Sequence, residues 1–303
     1  VVYSKVKGGH VIRKKTLLLI FLFLFIINLS YSKTILSFQD AKSDDKGGGN
    51  LKYPLADIFV PHAFDLKHFS ITEHSNYYDF SIEIWSKIIT APYGSRSSDL
   101  PYRRRGHRQD NKFGAGPNGW IYQMMDIYLS FGNNTHSTAL PGRNISFYKD
   151  NYWDKVILIT PENPYVLKTL IREDSRTPGL QEMSGDIVLP SYYRVRGNTF
   201  MARVYKNRLP KITGEIGFQV FMMGYNSSFD RPSTLKTISV ETISSYRTFG
   251  GEFSYCGGQP FIVDMLCSSE ASQYDLLSAF SCSTHPGKIV FAKVPMIWTQ
   301  IKQ

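Results

Sequence analysis

Two adjacent carboxylates, Asp44 and Asp45, stand just ahead of the triplet Gly47-Gly48-Gly49. Clustered carboxylates on a glycine-rich loop suit a hard, oxygen-seeking cation such as Ca²⁺. The EF-hand spacing is absent, so the alternative is a solvated acidic loop. Further along, Asp126 interrupts the apolar run from Trp120 to Ser130. A carboxylate in such a strand needs a partner. Arg143 is the candidate, because it follows the corner Leu140-Pro141-Gly142. Pro141 fixes φ and Gly142 tolerates positive φ, so the corner presents Arg143 and Asn144 in a defined direction. A guanidinium can satisfy both carboxylate oxygens at once. A structural pair of Asp126 with Arg143 is therefore expected; the other reading of this corner is a ligand rim.

Catalytic constellations are missing. The sequence holds no G-x-S-x-G, H-E-x-x-H or Walker pattern. Glycoside hydrolysis needs two positioned carboxylates, and spacing singles out no pair among the 25 acidic residues. The aromatic residues Trp85, Trp120, Tyr152 and Trp153, with Arg143 and Asn144, could stack and hydrogen-bond a sugar; the competing reading is core packing. Met201, Met222, Met223 and His136 could supply haem ligands, although methionine in strands usually fills cores. Cys256, Cys267 and Cys282 show no C-x-x-C spacing, so at most one disulfide forms and buried or unpaired thiols are expected.

The elements that must position these residues are strands. Phe80, Ile82 and Ile84 alternate with Ser81, Glu83 and Trp85, which puts one set on each face. Ile35–Phe38, Trp120–Ser130, Lys155–Thr160, Gly217–Met223, Lys236–Val240 and Lys288–Val294 read as further strands. Gly197-Asn198 between Tyr192–Val195 and Thr199–Val204 predicts a two-residue hairpin. Val166–Arg172 reads as a short helix. Ser272 with Asp275 predicts the start of the one well-signalled helix, before Leu276 and Leu277. Regular strands separated by turn residues predict an all-β antiparallel sandwich. A chain of 303 residues with 42% hydrophobic composition can bury such a core.

Several motifs carry a family resemblance. Asp44-Asp45-Lys46-Gly47 with Tyr53-Pro54 is followed by Phe64-Asp65-Leu66. Gly116-Pro117-Asn118-Gly119 comes next, with Gln123 and Asp126-Ile127-Tyr128. Then come Leu140 to Asn144 and Tyr152-Trp153-Asp154, and last Asp264-Met265-Leu266, Leu276-Leu277-Ser278 and Val294-Pro295. In this order they resemble the C-terminal module of glucodextranase and of archaeal amylopullulanases. That module is a DOMON-like β-sandwich with immunoglobulin-like layers, found beside glycoside hydrolases and on cell surfaces. The resemblance implies a non-catalytic module for a polysaccharide or cell-surface glycan, over one domain spanning 33–303. Other DOMON domains bind haem and transfer electrons, so that is the alternative function. Self-assembly into a surface layer or filament through exposed strand edges is another.

Residues 93–115 depart from that resemblance as a basic insertion bearing Arg103, Arg104 and Arg105. It would meet an anionic partner or remain solvated. The net charge of +10 is concentrated there and at the N-terminus. Lys5 to Lys15 precede the apolar run Thr16–Leu29, with Ser30 and Ser32 after it. This order predicts a secretory signal over 1–32, or an N-terminal anchor. Nucleic acid is not an expected partner of an exported chain. Sequons at Asn133, Asn144 and Asn226 would fit a glycoprotein.

Overall fold

The computed structural model describes residues 32–90, 118–173, 179–225, 238, 240–251, 254–267, 270–282 and 289–301. The expected signal, the basic insertion with Arg103 to Arg105, and Asn226 lie outside them. Among the described residues no helix is long and apolar enough to cross a membrane. In chain order the strands are β1 (Ser32–Gln39), β2 (Leu66–His74), β3 (Tyr77–Ile84), β4 (Gln123–Ser130), β5 (Ile145–Phe147) and β6 (Lys155–Ile159). There follow β7 (Ile187–Val188), β8 (Tyr192–Arg196), β9 (Thr199–Tyr205), β10 (Gly214–Gly224), β11 (Val240–Glu241) and β12 (Phe249–Gly250). Last come β13 (Asp264–Met265), β14 (Ser281–Cys282), β15 (Ile289–Val290), β16 (Ala292–Val294) and β17 (Ile297–Ile301). Among the described residues there are three α-helices: α1 (Pro164–Glu173), α2 (Leu180–Met183) and α3 (Glu270–Ser278).

The first sheet has the order β1-β2-β3-β9-β8, all antiparallel. Alternation fixes its faces. Tyr78, Phe80, Ile82 and Ile84 of β3 point into the core, while Tyr77, Ser81 and Glu83 face outward. The expected hairpin is present, with Arg196 opposite Thr199 across Gly197-Asn198. Gly197 takes the positive φ that this turn needs.

The second sheet has the order β13-β10-β4-β6-β7, and β17 shares the edge of β10 with β13. Its central strand β4 is buried at all eight positions. That pattern arises because the sheet is covered on both faces. Met125, Ile127 and Leu129 face the first sheet. Met124 and Tyr128 face a second core built with Leu140, Ile145, Trp153 and Phe221. Loops, the β5–β16 pair and α3 close that second core. A sandwich alone would leave Asp126 on a solvated face; the added layer buries it.

Some expectations shift. The chain is mostly antiparallel, but β6–β7, β11–β12 and β5–β16 pair in parallel. Helix α1 lies where a short helix was expected, and α2 adds another close by. Helix α3 begins at Glu270, so Ser272 lies inside the helix rather than capping it. Trp120 precedes β4 and bridges to Thr90 instead of starting the strand. Cys256 and Cys282 form a disulfide, and of the three cysteines only Cys267 is a buried thiol. Their separation of 26 residues has no motif that sequence could reveal.

Candidate functional site

The corner after β4 folds against the strand as its residues dictate. Gly142 has φ 81° and Asn144 φ 56°, both left-handed. Arg143 between them is fully buried. Its Nε donates to Asp126 Oδ2 at 2.8 Å and its Nη2 to Asp126 Oδ1 at 3.1 Å. Tyr128 donates its hydroxyl to the same Oδ2 at 2.9 Å and accepts the Leu140 amide at 3.0 Å. Burial alone would pull the guanidinium pKa down; the Asp126 charge and hydrogen bonds outweigh it and hold it up. Burial, then the Asp126 charge, pushes the Tyr128 phenol well above its ordinary range. With no atom at the surface, Arg143 belongs to the architecture and not to a rim.

Asn144 is likewise engaged. Its Nδ2 donates to the carbonyls of Gly257 and Gln259, each at 2.8 Å. A glycan on that nitrogen would leave it one hydrogen and so break at least one of these bonds, whereas Asn133 is exposed. Asn144→Ala should cost about 1–2 kcal/mol through the two lost bonds and the left-handed backbone, read from urea denaturation.

The sequence-selected aromatics do not converge. Trp120 is buried against Tyr193 and Phe200, with ring centroids at 5.8 and 5.4 Å. Trp153 is buried against Tyr128 at 5.3 Å and donates Nε1 to Thr138 O. Tyr152 is half-buried against the same core. Neither tryptophan offers a sugar an open face. Trp85 does reach solvent at 36% exposure, where packing was the expectation. Lys42 Nζ and Lys67 Nζ stand 4.6 and 5.1 Å from its ring centre. The haem candidates are also scattered. Met222 and Met223 face opposite sides of β10, and Met201 lies on the outer face of the first sheet. His136 is held by Asp186 at 2.7 Å and packs at a tilt against Trp153.

The acidic loop is more than a solvated turn. Asp44 and Asp45 are buried, and three further aspartates join them. Carboxylate oxygens of Asp40, Asp44 and Asp264 lie within 4.8 Å of one another. Those of Asp45 and Asp65 lie within 4.8 Å of each other and of a His62 nitrogen. Two unit charges that close repel by roughly 3 kcal/mol at an effective dielectric of about 20. Burial first, then the charge of Asp44, pushes Asp40 up to about 8. Burial and the Asp45 charge push Asp65 up to about 7. Asp264, fully buried, is pushed well above its ordinary range by burial and then by Asp40 and Asp44. Either group could hold a metal, and the oxygen-only set of Asp40, Asp44 and Asp264 is the one suited to a hard cation.

A separate open cleft lies beside the helices between β6 and β8. Its volume is about 770 Å³. Pro164 and Tyr165 of α1 form one wall, and Leu189 and Pro190 another. Tyr165 is 79% exposed. Lys168, Arg172 and Arg208 line it with Gln181 and Ser184, and none of its described lining residues is a carboxylate. Tyr165 and these cations were not singled out in the sequence. A short helix at Val166–Arg172 was legible, but its exposed face opening onto a cleft was not.

A family described as the C-terminal, SLH-like binding module of glucodextranase matches residues 35–291. The chain belongs to this family. No curated protein matches it. The glucodextranase-type module is a binding module rather than a catalytic domain. Within it, the corner residues Asp126, Pro141, Gly142 and Arg143 hold the covering layer onto the central sheet. In Tyr152-Trp153-Asp154, Asp154 accepts the amides of Phe131, Asn133 and Thr135, so it orders the loop after β4.

Proposed function

We propose that this chain is an exported, non-catalytic carbohydrate-binding module whose ligand is an acidic polysaccharide held in the cleft beside α1 and α2. The observation that carries this reading is the pairing of an exposed tyrosine with three cations in one cleft, with no carboxylate among its described lining residues. A tyrosine face stacks on sugar C–H groups, while Gln181 and Ser184 can bond hydroxyls. Lys168, Arg172 and Arg208 favour uronate or sulfate groups over neutral sugars. Export is supported by the Cys256–Cys282 disulfide, since such bonds persist in oxidising compartments, and by the signal-like N-terminus.

Affinity electrophoresis in gels holding polygalacturonate or dextran tests the assignment. The protein should be retarded by polygalacturonate and pass freely through dextran, and added salt should weaken the retardation. Tyr165→Ala and Arg208→Ala should each weaken binding about tenfold with thermal melts unchanged, because both side chains are exposed. Retardation by neither polymer, or full retention by both variants, would overturn it. Preference for dextran would reject the acidic ligand class.

A further inference from the structure

The buried aspartates come from opposite ends of the sequence. Asp40 follows β1, and Asp44 and Asp45 open the glycine-rich loop. Asp65 precedes β2, and Asp264 starts β13. Backbone contacts hold these segments together: Gly47 N donates to Val263 O at 2.9 Å, and Cys267 N to Asp40 Oδ1 at 2.8 Å. Gln273 of α3 donates to Asp44 O.

No lysine or arginine among the described residues pairs with Asp40, Asp45, Asp65 or Asp264. Asp45 accepts the Tyr53 hydroxyl, and Asp65 Oδ2 accepts His62 Nδ1 and the Ser43 amide. Asp264 accepts backbone amides, from Leu66 and Met265. Amide dipoles do not neutralise several like charges. Two oxygens stay without a hydrogen-bond partner: Asp40 Oδ2 and Asp65 Oδ1, the latter on a fully buried residue. Protonating one carboxyl would relieve part of the repulsion by sharing a proton with a neighbouring carboxylate, whereas a bound cation would relieve all of it at once. A cation uses these oxygens as they stand.

We propose that Asp40, Asp44 and Asp264, with the unpartnered oxygen of Asp65, bind a calcium ion that fastens the loop after β1 to β13. Ca²⁺ accepts six to eight oxygen ligands in flexible geometry, with water completing the shell. Mg²⁺ demands a tight octahedron and gives up its water reluctantly. His62 and Tyr53 hold Asp65 and Asp45 in place behind the site, as outer-shell partners do.

Chelator-stripped full-length protein tests this by thermal melting and by terbium luminescence, with calcium as competitor. About 1 mM Ca²⁺ should raise the melting temperature by about 5 °C or more, and the same Mg²⁺ should do much less. Terbium bound among tyrosines should luminesce, and calcium should quench it. Asp40→Asn and Asp264→Asn should each weaken calcium binding more than tenfold. In chelator the variants should melt no lower than the native chain, because each removes a repelling charge. Asp40 is the milder position, being only half-buried, so it keeps the test open if Asp264→Asn fails to fold. No calcium-dependent rise in the native chain, or a rise kept in full by Asp40→Asn, would overturn the proposal.

Discussion

Replacing Arg143 with alanine is expected to remove about 3–5 kcal/mol of stability, the usual cost of stranding one partner of a buried ion pair. Asp126 would remain fully buried with its charge opposed only by the Tyr128 hydroxyl. The loss extends beyond the pair, because Arg143 Nη1 also donates to the Pro141 carbonyl at 3.4 Å. Arg143 N donates to Leu140 O, and Arg143 O accepts Phe261 N, so the corner joins two loops of the covering layer. Urea denaturation should show the drop, and the melting temperature should fall by on the order of 10 °C. Arg143→Lys should recover part of it, because a single ammonium cannot reproduce the bidentate fork. Retention on polygalacturonate by the folded fraction should persist, since no atom of Arg143 reaches the surface. A variant as stable as the native chain would show that the corner contributes little.

Gly251→Ala should be at least as damaging, at about 3 kcal/mol or more. A Cβ there would sit 2.0 Å from the carbonyl oxygen of Asn50, and φ is +99°. The obstacle is backbone, so no side-chain rotation can relieve it. At the neighbouring Gly250 a Cβ would stand 2.1 Å from Ser244 N, again backbone. Gly250 also exchanges two hydrogen bonds with Lys52, at 2.7 and 2.9 Å. Forcing these strands apart moves the loop that carries Asp44 and Asp45, so Gly251→Ala should lose the calcium response along with stability. Gly257→Ala is the control. It shares a positive φ of 68° but has nothing within 4 Å of the added carbon. It should cost only about 1 kcal/mol. Equal melting temperatures for the two variants would mean that backbone strain, and not close approach, governs this region.

The sequence was most legible where structure is local. Alternation in β3 and the Gly197-Asn198 turn depend on neighbours a few residues away. The nearly all-apolar run of β4 marked a central strand, and the carboxylate that interrupts it called for a partner. The resemblance supplied the corner that brings Arg143. Tertiary outcomes were harder to read. Whether Trp120 or Trp153 lies open depends on a covering layer assembled from distant segments. Asp40 and Asp264 look like ordinary polar residues until folding sets them beside Asp44. The cap expected at Ser272 was overruled because α3 starts earlier, where Gln273 must reach Asp44 and the Met265 amide.

The stitching of Asp40 and Gly47 to residues 263–273 also constrains how the chain can be made. During synthesis these early groups must wait for more than 200 later residues to emerge, a delay of roughly 10–50 s at ordinary elongation rates. Meanwhile β2 and β3 can pair through their tight hairpin and β1 can join β2, with Phe69, Phe80 and Ile82 still uncovered until β4 and β10 arrive. A nascent polypeptide in that condition is a client for a holding chaperone, and arrest of translation before residue 264 should leave it aggregation-prone.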